Sequence, residues 1–360
     1  MLKNSLNYPV EFVEDVFGEG HILEAMIRKI SAAENPRLFL VADINVVNHL
    51  PGLGQKIGRW VQSHGFELAA KPAVIAGGEK AKADNFRTAL TVISELLTAQ
   101  LRCEDVVLVL GGGSLMDVVS YASPQVRGGV KTLRIPTTPA AMLEAAFANY
   151  GALDSVNVKD ALRIPCEPDG VVIDTTFATS VMDGVWKGGF GEAVRIAAAQ
   201  DKSMFKLLQK YASGYSERSL PALGEIIDAA FAVRKKKGST DFALWSVKRL
   251  EAVNGFKLPY GYLVPIGISI DTAYAVERGL MKAADRDSVL ELLKVCGSDN
   301  GYRKIPQLNG YKEAMLPGLD GWSYAERKDT ITLIDGIGSK TSEVPDREVY
   351  ARVIERLARG

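Results

Sequence analysis

An apolar run that ends in three consecutive glycines, DVVLVLGGGSLMD over residues 105–117, is the tightest constraint in this sequence. Aliphatic and β-branched side chains in so short a run read as a strand buried on both faces. The glycines then turn the backbone with no Cβ atoms in the way, and the helix that follows offers free N–H groups to an anion such as a pyrophosphate. The spacing is GGGS and not GxGxxG, so the usual dinucleotide fingerprint is absent. A tight strand-to-helix turn with no ligand would use the same residues.

The surrounding chain repeats the alternation of strand and helix. Residues 37–43 (RLFLVAD), 72–76, 105–110, 131–135 and 170–173 read as strands, and 48–64 and 84–100 as helices. In the second helix Phe86, Leu90, Val92, Ile93, Leu96 and Leu97 fall largely on one side. Such alternation predicts a mostly parallel sheet covered on both faces. Beyond Asp174 strand signals fade, and 191–212, 221–233, 262–280, 286–295 and 346–357 read as helices. The expected fold is an α/β, Rossmann-like N-terminal domain over residues 1–174 and an all-α C-terminal domain over residues 175–360. A cleft between the two is the expected active site.

Composition narrows the function. The chain has 360 residues, 47% of them hydrophobic, which is enough for two domains with real cores. Lysine plus arginine equals aspartate plus glutamate at 43 each, which disfavours a nucleic-acid partner. Cys103, Cys166 and Cys296 are few, odd in number and far apart, so a reducing cytoplasm is expected and no disulfide framework. The stretch MLKNSLNYPVEF lacks the apolar run of a signal peptide, and no uninterrupted apolar span of about 20 residues predicts a membrane helix.

Ligands of parallel sheets collect at the carboxyl ends of the strands. Here those ends carry Asp43 and Asn45, then Gly78, Glu79 and Lys82, then Gly111, Gly112 and Gly113, then Thr137 and Thr138. Each alone reads equally well as a cap or turn residue. All four sets together point to a ligand.

VADIN, GGEKAK, GGGSLMD, IPTTP, VVIDTTF and GEAVR follow one another in an order and spacing that resembles the dehydroquinate synthase family of sugar-phosphate cyclases. The GGGS turn alone is shared more loosely with glycerol dehydrogenases and iron-dependent alcohol dehydrogenases. The resemblance covers most of residues 35–270. It implies NAD, a zinc or cobalt ion, a phosphorylated sugar or related small molecule as substrate, and a homodimer. The implied reaction oxidises a hydroxyl transiently, eliminates phosphate, reduces the ketone again and closes a carbocycle, with NAD regenerated. Carried over motif by motif, the resemblance assigns Asp43, Asn45, Gly78, Glu79, Lys82, Gly111, Gly112, Gly113, Asp117, Thr137, Thr138 and Phe177 to the cofactor. It assigns Lys159 to the cofactor or substrate side, and Glu192 to the metal.

Several positions depart from the family pattern. Glu144 stands for an aspartate, Tyr150 for a substrate-binding lysine, Asp160 for an asparagine, and Arg195 for the lysine one turn after Glu192. Leu244, Lys248 and Tyr260 stand where the family has histidines, and no histidine follows His64. Leucine does not coordinate, and a protonated lysine repels a divalent cation. Glu192 is therefore the implied metal ligand only if a metal binds, and otherwise there is none.

The catalytic candidates are Lys159, Glu192, Arg195, Lys248 and Tyr260. Lys159 and Lys248 read as electrostatic partners, with Lys248 a candidate for the vacated cation position. Glu192 or Tyr260 reads as the proton-transfer group. Bland alternatives stand beside each: an i,i+3 pair of Glu192 with Arg195, a solvated Lys248, a packed Tyr260. The run Arg234 to Lys237 and Arg127 are candidate phosphate contacts, the run being equally a solvated face. His21, His49, His64 and Cys166 read as surface or packing residues. The expectation is an NAD-binding cyclase, with a non-catalytic NAD or sugar-phosphate binder and a metal-independent polyol dehydrogenase as the alternatives.

Overall fold

Seven strands form one sheet in the order β1-β9-β6-β5-β2-β3, with β4 paired to the far end of β2. They are β1 (Val10–Val13), β2 (Arg37–Asp43), β3 (Glu67–Leu68), β4 (Ala73–Ile75), β5 (Val106–Gly111), β6 (Lys131–Pro136) and β9 (Gly170–Asp174). Every described pairing in this sheet is parallel. Between β6 and β9 a two-stranded sheet forms from β7 (Tyr150–Ser155) and β8 (Val158–Pro165). The computed structural model describes residues 6–155, 158–297 and 311–359; the first five residues of the N-terminal stretch lie outside them.

The strands form where the sequence is apolar on both faces. All six residues of β5 are buried, as are all but the first of β2 and β6. Asp105 fixes where β5 begins: it is fully buried and accepts bonds from Arg37 N (3.0 Å), Arg37 Nη2 (2.7 Å) and Arg102 N (2.8 Å). The register then levels the carboxyl ends. Ala42 pairs with Leu110, Asp43 with Ile75, and Gly111 with Pro136. The chain leaves β2 toward β3 and β4 but leaves β5 toward β6, so the ends of β2 and β5 form a switch point.

One correction concerns the helix before β5. It runs Arg87–Thr98 and buries Ala89, Val92 and Leu96. Leu90 and Leu97 are 63% and 44% exposed, because the buried stripe follows the 3.6-residue period more narrowly than the run of apolar letters.

The described chain divides into two compact units. The sheet unit holds residues 6–155 and 160–181; the second unit holds 182–297 and 311–359 with Val158 and Lys159. The second unit is helical, as expected, and also carries an antiparallel hairpin that the sequence pattern did not predict: β10 (Ile331–Gly336) and β11 (Ser339–Glu343). The predicted helix over 191–212 is two helices, Asp183–Gln200 and Lys202–Ser216. Asp201 breaks the run because its side chain caps the second helix, accepting from Met204 N at 2.9 Å.

The helix Asp183–Gln200 is buried almost all round, and small residues allow it. A Cβ on Gly261, in the helix Tyr260–Glu277, would overlap Gly184 O and lie 2.5 Å from Gly188 N. Glycine on both helices thus lets two backbones touch, a spacing that no larger residue permits. Trp245, Leu263, Ile266, Ile270, Tyr274 and Tyr350 pack in the core of this unit. No described helix is long and apolar enough to cross a membrane.

Candidate functional site

The level carboxyl ends of β2, β4, β5 and β6 build the first group of residues. Asp43 is nearly buried and accepts from Asn45 N (2.8 Å) and Asn45 Nδ2 (3.0 Å). Burial pushes its carboxyl above the ordinary range, and the Asn45 hydrogen bonds pull it back only in part. A Cβ on Gly77 would overlap the Asp43 carboxylate, and one on Gly111 would lie 2.7 Å from Leu115 Cδ2 and 3.3 Å from Asp43 Cβ. On Gly112 it would lie 3.2 Å from Thr138 Cγ2, and on Gly113 2.9 Å from Ala145 Cβ. The glycines therefore serve close backbone approach. Gly78 turns the chain after β4 with φ of 83°.

Two threonines follow β6. Thr138 caps the short helix Pro139–Leu143 by accepting from Ala141 N (3.3 Å). Thr137 donates its backbone N–H to Gly111 O (3.0 Å), which ties the end of β6 to the glycine turn. Its hydroxyl is buried and has no hydrogen-bond partner. A buried hydroxyl left so is costly, so a ligand atom there would be stabilised. Glu79 accepts a hydrogen bond from Ser114, the residue after the glycines. Phe177, in the 3-10 turn Thr175–Ser180 after β9, is buried.

Lys82 sits among three carboxylates. It is 1% exposed, with Nζ 2.5 Å from Asp117 Oδ2, 2.5 Å from Asp160 Oδ1 and 3.6 Å from Asp154 Oδ1. Burial alone would lower its pKa; Asp117, Asp160 and Asp154 together hold it well above the ordinary lysine value. Asp160 is held in left-handed backbone (φ 52°), with its N–H on Asp154 Oδ1 at 2.8 Å. Asp154 was not singled out from the sequence. Nothing in the spelling of β7 marks it, because its partner is brought by the sheet unit's fold. Tyr150, where the resemblance expects a lysine, carries the Arg163 guanidinium 5.2 Å from its ring centre.

A second group sits in the helical unit. Glu192 and Arg195 are 1% and 0% exposed, and the Arg195 guanidinium grips both carboxylate oxygens: Nε at 3.0 and 3.1 Å, Nη2 to Oε1 at 2.5 Å. Arg195 Nη1 also donates to Thr240 O (2.6 Å) and Phe242 O (3.1 Å). The i,i+3 pair is thus present, but as a buried interaction and not a surface one. Tyr260 donates its hydroxyl to Glu192 Oε2 at 2.7 Å. The glycine contact between the two helices makes this bond possible. Burial, and then the Glu192 charge, pushes the Tyr260 phenol well above its ordinary value, so it stays protonated.

Lys159 joins the same group through Glu251, a residue that sequence reasoning missed. Its Nζ is 3.5 Å from Glu251 Oε1 and 5.7 Å from the Phe256 ring centre, and Glu251 adds to the field at Tyr260. Glu251 lies within LEAV, which carries no motif. Lys248 bonds Glu326 at 3.0 Å and lies 5.8 Å from the Trp322 ring centre. Leu244 packs against the apolar core. The run Arg234–Lys237 forms the last turn of the helix Leu220–Lys237, where cations complement the helix dipole, and Lys237 caps Gln200 O. Arg127 is exposed, in left-handed backbone (φ 47°).

The cysteines are free, with Cys296 buried and its thiol pushed up to about 12 by that burial. Among the described residues, the one group of three or more His, Cys, Asp or Glu side chains close enough to share a metal ion is His21, Glu24 and His64, at the surface of the sheet unit.

Comparisons with known proteins agree with this architecture. Residues 72–186 match the 3-dehydroquinate synthase N-terminal family. A 3-dehydroquinate synthase of Rhodopseudomonas palustris is 23% identical over 310 residues, 79% of this chain and 80% of that protein. A 2-epi-5-epi-valiolone synthase of Actinoplanes sp. is 27% identical over 386 aligned positions, covering 99% of this chain and 92% of that protein. Among solved structures, a 2-epi-5-epi-valiolone synthase from Streptomyces hygroscopicus subsp. jinggangensis with NAD+ and Zn2+ bound superposes with a TM-score of 0.83 at 20% identity, over 99% of this chain and 98% of that one. A 2-deoxy-scyllo-inosose synthase complexed with carbaglucose-6-phosphate, NAD+ and Co2+ superposes with a TM-score of 0.79 at 15% identity, over 96% of each chain. Over residues 72–186 the chain is thus similar to the 3-dehydroquinate synthase N-terminal family, and its fold is that of the valiolone and inosose synthases.

Proposed function

We propose that this protein binds NAD at the carboxyl edge of its parallel sheet and acts on a phosphorylated sugar or related polyol, with a metal site altered from that of its family. The observation that carries the cofactor assignment is the glycine cradle at the β2/β5 switch point, beside a buried Thr137 hydroxyl that lacks a partner. In this reading the backbone N–H groups of Gly112 and Gly113 receive the pyrophosphate. Asp43 and Asn45 offer acceptor and donor atoms to ribose hydroxyls, and Thr137 gains its missing partner. Gly78, Glu79, Thr138 and Phe177 shape the same cradle, while the Lys82–Asp117 pair braces its floor. NAD, when bound, supplies a hydride acceptor for a carbinol carbon. Lys159 offers a cation to a ligand anion, and Tyr260 a hydroxyl anchored on Glu192.

Relatives and neighbours support the ligand class: the inosose synthase complex holds a sugar-phosphate analogue and the valiolone synthase holds NAD+. The division into an NAD-binding domain over residues 1–174 and a helical domain over residues 175–360 belongs to the same reading, as does a cytoplasmic homodimer. The free cysteines suit a reducing compartment.

A non-catalytic binder is the second reading, and the engagement of Glu192 by Arg195 and of Lys248 by Glu326 favours it. Calorimetric titration with NAD, followed by incubation with sugar phosphates, separates the cases. Phosphate release with no net NADH marks a cyclase, and net NADH a metal-independent dehydrogenase. Binding without turnover marks a sensor. No NAD binding refutes the cofactor assignment. Gel filtration checks the dimer.

A further inference from the structure

The family's metal raises a question of chemical fit that the Glu192 group answers. A divalent ion needs several anionic or neutral lone-pair donors converging on one point. Here one Glu192 oxygen accepts two nitrogens of Arg195, and the other accepts Arg195 Nε and the Tyr260 hydroxyl. Arg195 cannot withdraw freely, because its Nη1 is held by two backbone carbonyls at 2.6 and 3.1 Å. Two ion pairs are already there, Lys159 with Glu251 and Arg195 with Glu192, and the Lys340 cation adds to the field at Arg195. A divalent ion added there would leave a buried excess of positive charge, and Arg195 would repel it directly. Among the described residues, Glu192 also belongs to no group of three His, Cys, Asp or Glu ligands. The residues present do not fit zinc or cobalt.

We infer that the Arg195 guanidinium is the resident cation of this site, standing where the family places a metal ion, with the Tyr260 hydroxyl closing the remaining valence of Glu192. Sequence reasoning offered Lys248 for that part; the structure gives Lys248 to Glu326. The inference rests on the family placement and deepens the proposed function. It has a chemical consequence. Arg195 is fully buried, so it acts through Glu192 and is a positioning residue. The atom left to meet a ligand is the hydroxyl oxygen of the partly exposed Tyr260: its proton is held by Glu192, so it accepts a hydrogen bond from a ligand hydroxyl and supplies no Lewis acid.

The test is cobalt uptake by the full chain with His21→Ala, which removes the surface His21–Glu24–His64 group as a competing site. Protein stripped with EDTA is dialysed against cobalt with and without NAD, and bound metal is counted by mass spectrometry and visible absorption. The expected result is no bound cobalt in either sample. One equivalent of cobalt per chain overturns the inference. A double variant Arg195→Ala, Tyr260→His, made on the same background, is a second arm: freeing the carboxylate and adding an imidazole is expected to produce a cobalt absorption band. A folded variant that shows no such band would count against the inference. NAD titration in EDTA runs in parallel. Its failure refutes the proposed cofactor while leaving the cobalt result intact, so the two readings fail separately.

Discussion

Asp271 gives the sharpest quantitative test of this fold. It lies on the helix Tyr260–Glu277, fully buried, with Oδ1 accepting from Trp245 Nε1 (2.8 Å) and Tyr350 OH (3.0 Å) while Oδ2 has no partner. Burial pushes its carboxyl up to about 7, against the pull of the Trp245 and Tyr350 hydrogen bonds. The unfolded carboxyl titrates near 3.8. Between those two values the folded chain holds a proton that the unfolded chain has lost. The stability contributed by the neutral acid is therefore complete below the unfolded pKa and drains away as pH rises through the folded one. A displacement of roughly three pKa units at about 1.4 kcal/mol each gives a loss of about 4 kcal/mol between pH 4 and pH 8. Asp271→Asn keeps the acceptor for Trp245 and Tyr350 and puts an uncharged NH2 where the acid carries its proton. Urea unfolding, followed by the fluorescence of Trp186, Trp245 and Trp322 in the same unit, measures both proteins across that range. The stability of the variant relative to wild type should rise by about 4 kcal/mol from pH 4 to pH 8, since other titrations cancel in the difference. Parallel curves, with the same gap at both ends, would refute the reasoning.

Three further outcomes follow from the packing and charge described above. Gly261→Ala puts a methyl into the Gly184 and Gly188 backbone, and it should cost about 1–3 kcal/mol or more by thermal or urea unfolding; an unchanged midpoint contradicts the close helix contact. Gly77→Ala drives its Cβ into the Asp43 carboxylate and should weaken NAD binding by about tenfold or more in calorimetry, about 1.4 kcal/mol, with equal affinity arguing against the cradle. Lys82→Met leaves Asp117, Asp154 and Asp160 without their shared cation and should destabilise the sheet unit by about 3–5 kcal/mol at neutral pH. Protonating the carboxyls removes the uncompensated negative charge, so the deficit should shrink as pH falls; a pH-independent deficit speaks against an electrostatic cause.

Five strands of the parallel sheet were readable because each is a short apolar run bounded by polar or glycine residues; β1 (VEFV) and β3 (EL) were not, since each is short and carries a glutamate. RLFLVAD and VVLVLG needed no tertiary information, and the residues at their carboxyl ends follow once the strands are parallel. The β10–β11 hairpin escaped such reading. Its second strand, SKTSE, is polar, and its position depends on contacts made elsewhere: Gly338 donates to Ala198 O at 2.8 Å. Leu90 and Leu97 show the reverse, apolar letters whose exposure is settled only by which face the sheet covers.

For the candidate site the division is similar. The glycine cradle, the strand ends around it and the resemblance to the dehydroquinate synthase family are all written in local residue types, because backbone geometry at a turn depends on the residues that make it. The motifs also point to Glu192, Arg195, Tyr260 and Lys159. What those side chains do with one another emerges from the folded chain. Electrostatic pairing and burial join residues distant along the sequence, as with Glu192 and Tyr260, Lys159 and Glu251, or Lys82 and Asp154. No local pattern encodes such partners, since a charge is compensated by whichever opposite charge the fold brings within a few ångströms.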